Sequence, residues 1–209
     1  MRKIGILGGT FDPVHNGHIN MAKGALTECG LKKVLMMPSC VSYLKAGTGV
    51  SDASVRLEML KLALSDEKYL VADDLEIRRG GNSYTCDTIR ELSKAYGNDC
   101  LLCYIIGDDT LLSMHRWKEP EVIFKGTRIL TIMRAHKKDS PKVLDHLDFL
   151  KKEYDADVQL LDVPVMDISS TMIRKRVRDG LDIDGLVPDK VAAYIREHRL
   201  YLQDTKRRI

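Results

Sequence analysis

The chain has 209 residues, 44% of them hydrophobic and 30% charged. That balance suits one folded domain and excludes both a disordered chain and a membrane-embedded one. No run approaches the roughly 18 apolar residues of a membrane span. The net charge of +3 is matched by Lys206-Arg207-Arg208, so we read residues 1–205 as a neutral domain with no broad nucleic-acid surface and 206–209 as a solvated basic tail.

The elements alternate. Lys3–Leu7 is an apolar strand running into Gly8-Gly9, with too short an apolar run for a signal peptide. A helix follows from about Gly17, with Ile19, Ala22, Ala25, Leu26 and Cys29 on one face, and Gly30 ends it. Lys33–Met37 is a strand stopped by Pro38. Ser39–Ser54, rich in Ser and Gly, is irregular and reads as a loop that orders on ligand. Val55–Leu64 is helical, Tyr69–Ile77 contains an extended segment, and Thr85–Tyr96 is a helix ending at Gly97. Leu101–Ile106 is a strand, Pro120–Phe124 a short helix and Arg128–Met133 a strand. Ser140-Pro141 opens a helix to about Tyr154. Val158–Val163 is the last strand. Ser169 or Ser170 caps a helix that ends near Gly180, and Pro188-Asp189 opens a final one. The alternation predicts an α/β fold, a doubly wound parallel sheet in a single domain with C-terminal helices.

The five cysteines, Cys29, Cys40, Cys86, Cys100 and Cys103, form an odd set without a secretory signal. They read as free thiols of a cytoplasmic protein. Cys100 and Cys103 have the spacing of a metal or redox pair, but they lie on a strand, where three residues apart means opposite faces.

Four unusual segments fall just after strands: Gly8–His18, Ser39–Lys45, Gly107–Asp109 and Ile168–Arg174. Ligands of open parallel sheets bind beyond the strand C-termini, so these segments should converge. Glycines at 8 and 9 let the backbone approach a ligand. The helix starting near Gly17 presents free N–H groups and partial positive charge, which suits phosphate. His15 and His18 share a face at that helix start and can donate to phosphate oxygens during phosphoryl or nucleotidyl transfer. Ser170 and Thr171 sit at another helix start, with Arg174 on the same face offering a planar fork for phosphate.

Gly8–His18 resembles the (H/T)xGH signature of the nucleotidylyltransferase superfamily, and Ile168–Arg174 resembles its ISSTxIR. Ser83-Tyr84-Thr85-Cys86-Asp87-Thr88 is similar to the SYTxDT of nicotinate mononucleotide adenylyltransferases. Ile106–Leu111 is similar to their IGADxL, and Trp117 stands where they have a tryptophan. Leu186–Asp189 and Tyr194–Tyr201 match as well, so the resemblance spans essentially the whole chain.

The resemblance implies a Rossmann-like nucleotidylyltransferase fold. It also implies transfer of the adenylyl group of ATP to nicotinate mononucleotide, with Mg²⁺ accompanying ATP on phosphates and water rather than in a protein cage. His15, His18, Lys45 and Arg174 would be catalytic. Gly8, Gly9, Thr10, Phe11, Gly107, Asp109, Ile168, Ser170 and Thr171 would hold ATP. Tyr84, Thr85 and Trp117 would hold the nicotinate nucleotide, an indole face suiting a cationic pyridinium ring. The chain departs from the family in two places. Ser42-Tyr43-Leu44-Lys45 replaces PPHK, and Asp108 replaces a usual alanine. Two rivals stay open at this point: another adenylyltransferase such as the phosphopantetheine enzyme, and a nucleotide-binding regulator with weak turnover.

Overall fold

A computed structural model describes residues 1–41, 50–133 and 140–202. Its strands are β1 (Arg2–Gly9), β2 (Lys33–Pro38), β3 (Leu70–Ala72), β4 (Cys100–Gly107), β5 (Arg128–Ile132) and β6 (Val158–Leu161). They form one parallel sheet in the order β3-β2-β1-β4-β5-β6. Parallel strands buried on both faces need near-continuous apolar runs, and β4 (CLLCYIIG) and β2 after its first residue (KVLMMP) have them.

The pleat sorts these residues between two cores. Val34, Met36, Cys103, Ile105 and Leu130 point to one side. Leu35, Met37, Leu102, Tyr104 and Ile129 point to the other. The first core is closed by α1 (Asn16–Glu28), α2 (Ala53–Ala63), α8 (Ser170–Arg178) and α9 (Asp189–Glu197) through Ala22, Met59, Ile173 and Val191. The second is closed by α4 (Thr85–Tyr96), α6 (Pro120–Gly126) and α7 (Pro141–Tyr154) through Ile89, Phe124 and Leu150. Each fully buried aliphatic side chain contributes about 1.5–3 kcal/mol, so two filled faces hold the sheet between helix layers. The expected doubly wound architecture is the one observed.

Several boundaries differ from expectation. The extended segment expected in 69–77 covers only Leu70–Ala72. The Leu75 N–H then donates to Asp73 Oδ1 at 3.0 Å, a local turn that starts α3 (Leu75–Arg79). β6 stops at Leu161, two residues early. A four-residue helix α5 (Asp108–Leu111) and a 3-10 turn at Met114–Arg116 fill the stretch after β4. Ser169, not Ser170, caps α8, its hydroxyl accepting from the Met172 N–H.

Cys103 lies in the first core and Cys100 packs against the second, so the pair does face opposite ways. All five cysteines are free, and burial pushes the Cys103 thiol up to about 11. No helix among the described residues is long and apolar enough to cross a membrane. The basic tail lies outside the described residues.

Candidate active site

The strand order reverses between β1 and β4, which run side by side. Their C-terminal ends open a crevice, where an open α/β sheet binds ligands. Gly8, on β1, forms its floor. A Cβ on Gly8 would come within 2.8 Å of the Tyr104 hydroxyl, so any larger residue would intrude on the crevice.

Two cavities occupy the crevice. The larger, about 400 Å³, is lined by Gly8, Gly9, Thr10 and His18 from the first segment, Ser39 after β2, and Gly107 after β4. Tyr84, Thr85, Tyr104, Trp117 and Lys118 close its other side. The smaller, about 270 Å³, is lined by Thr10, Phe11, Asp12, His18, Ser170, Thr171 and Arg174. Thr10 and His18 line both. The first cavity is walled by aromatic rings. The second has a guanidinium and three hydroxyl side chains.

The contacts explain why segments far apart in sequence meet here. The Ser170 hydroxyl donates to the Pro13 carbonyl at 2.9 Å. Arg174 donates through Nη1 to the Asp12 carbonyl at 2.7 Å and through Nη2 to Thr171 Oγ1 at 3.4 Å. The start of α8 is thus fastened to the loop after β1. On the other side, the Cys40 N–H donates to Ser83 Oγ at 2.9 Å and the Ser83 N–H to the Val41 carbonyl at 3.0 Å. This sets Tyr84 and Thr85 at the mouth of the larger cavity. There Thr85 Oγ1 lies 3.3 Å from the Tyr104 hydroxyl. Tyr104 meets Trp117 edge-on, with ring centroids 6.3 Å apart.

The two histidines are stacked, ring centroids 3.6 Å apart, but they differ in place. His18 lines both cavities, whereas His15 lines neither. The His15 N–H donates to His18 Nδ1 at 3.3 Å, which puts the proton of a neutral His18 ring on Nε2. His15 is 6% exposed, and burial lowers its pKa to about 4. It is neutral near pH 7 and backs the His18 ring rather than adding a charge. A Cβ at Gly17 would meet the His15 ring at 3.0 Å, so a small residue is needed there for His15 to tuck in.

The neutral burial of His15 has a pH signature. Its unfolded pKa is near 6.5 and its folded value near 4. Between these values the unfolded chain binds the extra proton, so stability is full above 6.5 and falls as pH drops toward 4. From pH 7 to pH 5 this group removes about 2 kcal/mol. Urea titrations at both pH values should show His15→Gln losing less stability than the parent by about that amount; equal losses would place the acid sensitivity elsewhere.

Other candidate residues fall outside these walls. Asp109 is exposed and lines neither cavity, and Thr110 stands at the wall instead. Ile168 packs against the first core beneath α8. Lys45, with the departure at Ser42–Lys45, lies outside the described residues. Asp108 turns back to accept from the Asp109 N–H at 2.9 Å, at the start of α5.

Four residues were not expected. Lys118 rises over the Tyr84 ring, 4.4 Å from its centroid, at 3.4 Å from Asp87 and 3.9 Å from Glu119. Asp12, 2% exposed, accepts from the Ser51 N–H at 3.1 Å and from the Tyr201 hydroxyl at 2.6 Å. Burial and the Asp12 carboxylate raise the Tyr201 pKa, so this phenol remains a donor. Arg56, also 2% exposed, lies behind the same loop. Its position on α2 gave a signal: Met59, Leu60 and Ala63 follow at i+3, i+4 and i+7, which puts Arg56 on the buried face.

A model of the cytidylyltransferase-like family matches residues 6–176. Together with a sheet that opens on paired cavities, this defines the chain as a nucleotidyltransferase. A protein of Lachnoclostridium phytofermentans named probable nicotinate-nucleotide adenylyltransferase is 36% identical over 202 residues, 97% of this chain and 100% of that protein. One of the same name from Dehalococcoides mccartyi is 39% identical over 201 residues, 95% of this chain and 97% of that protein. The chain belongs to the nicotinate-nucleotide adenylyltransferase family. The Plasmodium falciparum nicotinic acid mononucleotide adenylyltransferase complexed with NaAD has the same fold, with a TM-score of 0.76 at 18% identity over 96% of this chain and 98% of that one.

Proposed function

We propose that the chain joins ATP and nicotinate mononucleotide into nicotinate adenine dinucleotide and pyrophosphate, a step of NAD biosynthesis. The observation that supports this most directly is the pair of cavities meeting at Thr10 and His18. One is shaped for a planar ring and the other for phosphate. A reacting phosphorus at their junction would touch groups of both.

A phosphate oxygen of nicotinate mononucleotide attacks the α-phosphorus of ATP in line. The new P–O bond forms as the bond to the β-phosphate oxygen breaks, and pyrophosphate leaves with the electron pair. The attacking monoester has a second pKa of about 6, so it is largely dianionic at neutral pH and needs no general base. The chain then contributes positioning and charge stabilisation. His18 offers Nε2–H at the junction. Arg174, Ser170, Thr171 and the backbone of Gly8, Gly9, Thr10 and Phe11 receive the phosphates. Lys45 adds a positive point charge for the departing pyrophosphate. His15 holds the His18 ring. Gly107, at the wall of the larger cavity, and Asp109, exposed just beyond it, would serve the ribose end, and Ile168 seats α8. Tyr84, Thr85 and Trp117 hold the pyridinium ring.

Family members generally use a divalent ion with ATP, and Mg²⁺ is the ion proposed here. The carboxylate lining the smaller cavity, Asp12, is taken by Ser51 and Tyr201. Mg²⁺ would therefore ride on triphosphate oxygens and water, where it screens charge on the leaving pyrophosphate.

Pyrophosphate release from ATP, assayed with nicotinate mononucleotide, nicotinamide mononucleotide and phosphopantetheine, tests the proposal. We expect the nicotinate acceptor to give the highest kcat/KM. Release with phosphopantetheine alone, or with no acceptor, would replace this reading with one of its rivals. A carboxylate meets donors at Thr85 and a cation at Lys118, whereas an amide brings its own donors to the same place. Lys118→Met should narrow the preference for nicotinate over nicotinamide by about threefold, the scale of an exposed ion pair. An unchanged ratio would remove Lys118 from acceptor choice.

A further inference from the structure

Arg56 makes no ion pair with a carboxylate among the described residues. A buried guanidinium is costly unless its donors are taken up, so its partners are informative. All three are backbone carbonyls. Nη1 donates to Thr10 at 2.8 Å, Nη2 to Cys40 at 3.0 Å and Nε to Ser51 at 2.8 Å. They come from three separate stretches: the loop after β1, the exit of β2 and the lead into α2. Thr10 alone of the three belongs to the wall shared by both cavities.

The Thr10–Phe11 peptide is trans, so its C=O and N–H point in opposite directions. Arg56 lines neither cavity and lies on the core side of the loop. A carbonyl held toward Arg56 therefore turns the Phe11 N–H away from the core. Phe11 itself adopts the left-handed region at φ 50°, a conformation that costs a non-glycine residue about 1–2 kcal/mol. Its ring is buried and meets His18 edge-on, with centroids 4.9 Å apart. The backbone here is held in a conformation it would otherwise leave, and Arg56 grips the peptide that would rotate.

We infer that Arg56 is a positioning residue for the phosphate step: by fixing the Thr10 carbonyl on the core side, it aims the Phe11 N–H into the smaller cavity. A cationic donor on a carbonyl also polarises the peptide and strengthens its N–H as a donor. Arg56 thus transmits positive charge to the phosphates without touching them. The inference rests on the reading of that cavity as the phosphate site.

The full-length parent, labelled with ¹⁵N, is titrated with inorganic pyrophosphate. The Phe11 amide resonance should shift and saturate with the binding curve. A second arm compares Arg56→Met and Arg56→Lys with the parent at a temperature where near-UV circular dichroism shows each folded. We expect pyrophosphate to bind the variants at least tenfold more weakly and kcat to fall at least tenfold. The KM for nicotinate mononucleotide should stay within threefold, a split that general loosening of the fold would not give. A Phe11 amide that ignores pyrophosphate in the parent overturns the inference even if neither variant folds. A folded Arg56→Met with parental pyrophosphate affinity overturns it too. Failure of the functional reading is a separate result: the parent would then release no pyrophosphate from ATP and nicotinate mononucleotide.

Discussion

Replacing His18 by alanine is expected to lower kcat by about 10²–10³, the loss typical of one preorganised donor to developing charge. His18 lines both cavities, and its Nδ1 accepts from the His15 N–H, so Nε2 carries the proton of the neutral ring that would face the reacting phosphate. The substitution removes a ring from a cavity wall and leaves no apolar core void, so the fold should survive. Pre-steady-state measurement of pyrophosphate release separates the chemical step from product release. A variant within threefold of the parent would show that His18 does not face the transferring phosphorus.

Arg174→Ala is expected to reduce kcat/KM for ATP by about 10–100-fold, given the roughly 1.5–3 kcal/mol of a hydrogen bond to a charged group. The guanidinium lines the smaller cavity beside Ser170 and Thr171 and holds the Asp12 carbonyl. The loss therefore has two sources: a positive charge near the phosphates and a tie between α8 and the loop after β1. Arg174→Lys keeps the charge but cannot span both contacts. We expect it to recover part of the ATP affinity and little of the rate. Full recovery by lysine would assign Arg174 a purely electrostatic role, and an alanine variant with parental kcat/KM would remove it from the site.

The legible parts of the fold were those with strong punctuation. Gly97 ends α4 by adopting φ 69°, and Ser140-Pro141 starts α7 with a side-chain cap, so both helices have the bounds the sequence implies. Short elements without such signals were not legible. α3 depends on Asp73 accepting from a backbone N–H two residues on, a contact that spacing does not reveal. In the site, glycines, histidines and a Ser-Ser-Thr helix start could be read because their chemistry is local. The depth of each side chain could not. His15 and His18 look equivalent at a helix start, yet one lines both cavities and the other is buried beneath it. Lys118 would pass as a solvated surface lysine, and Asp12 as an ordinary loop acid. Only the fold shows that a phenol 189 positions away claims the Asp12 carboxylate.

That distance has a consequence for how the protein is made. Asp12 and Pro13 are made well before the groups that fasten them. Those groups, Ser170, Arg174 and Tyr201, follow 157, 162 and 189 positions later. Asn16, at the start of α1, likewise waits for the carbonyls of Gly185 and Leu186. The sheet strands β1 to β4 can assemble while translation continues, because their partners are already present. The loop between the two cavities cannot be secured until α9 and Tyr201 have emerged. A nascent chain therefore carries the signature segment well before the residues that fix its geometry have been made.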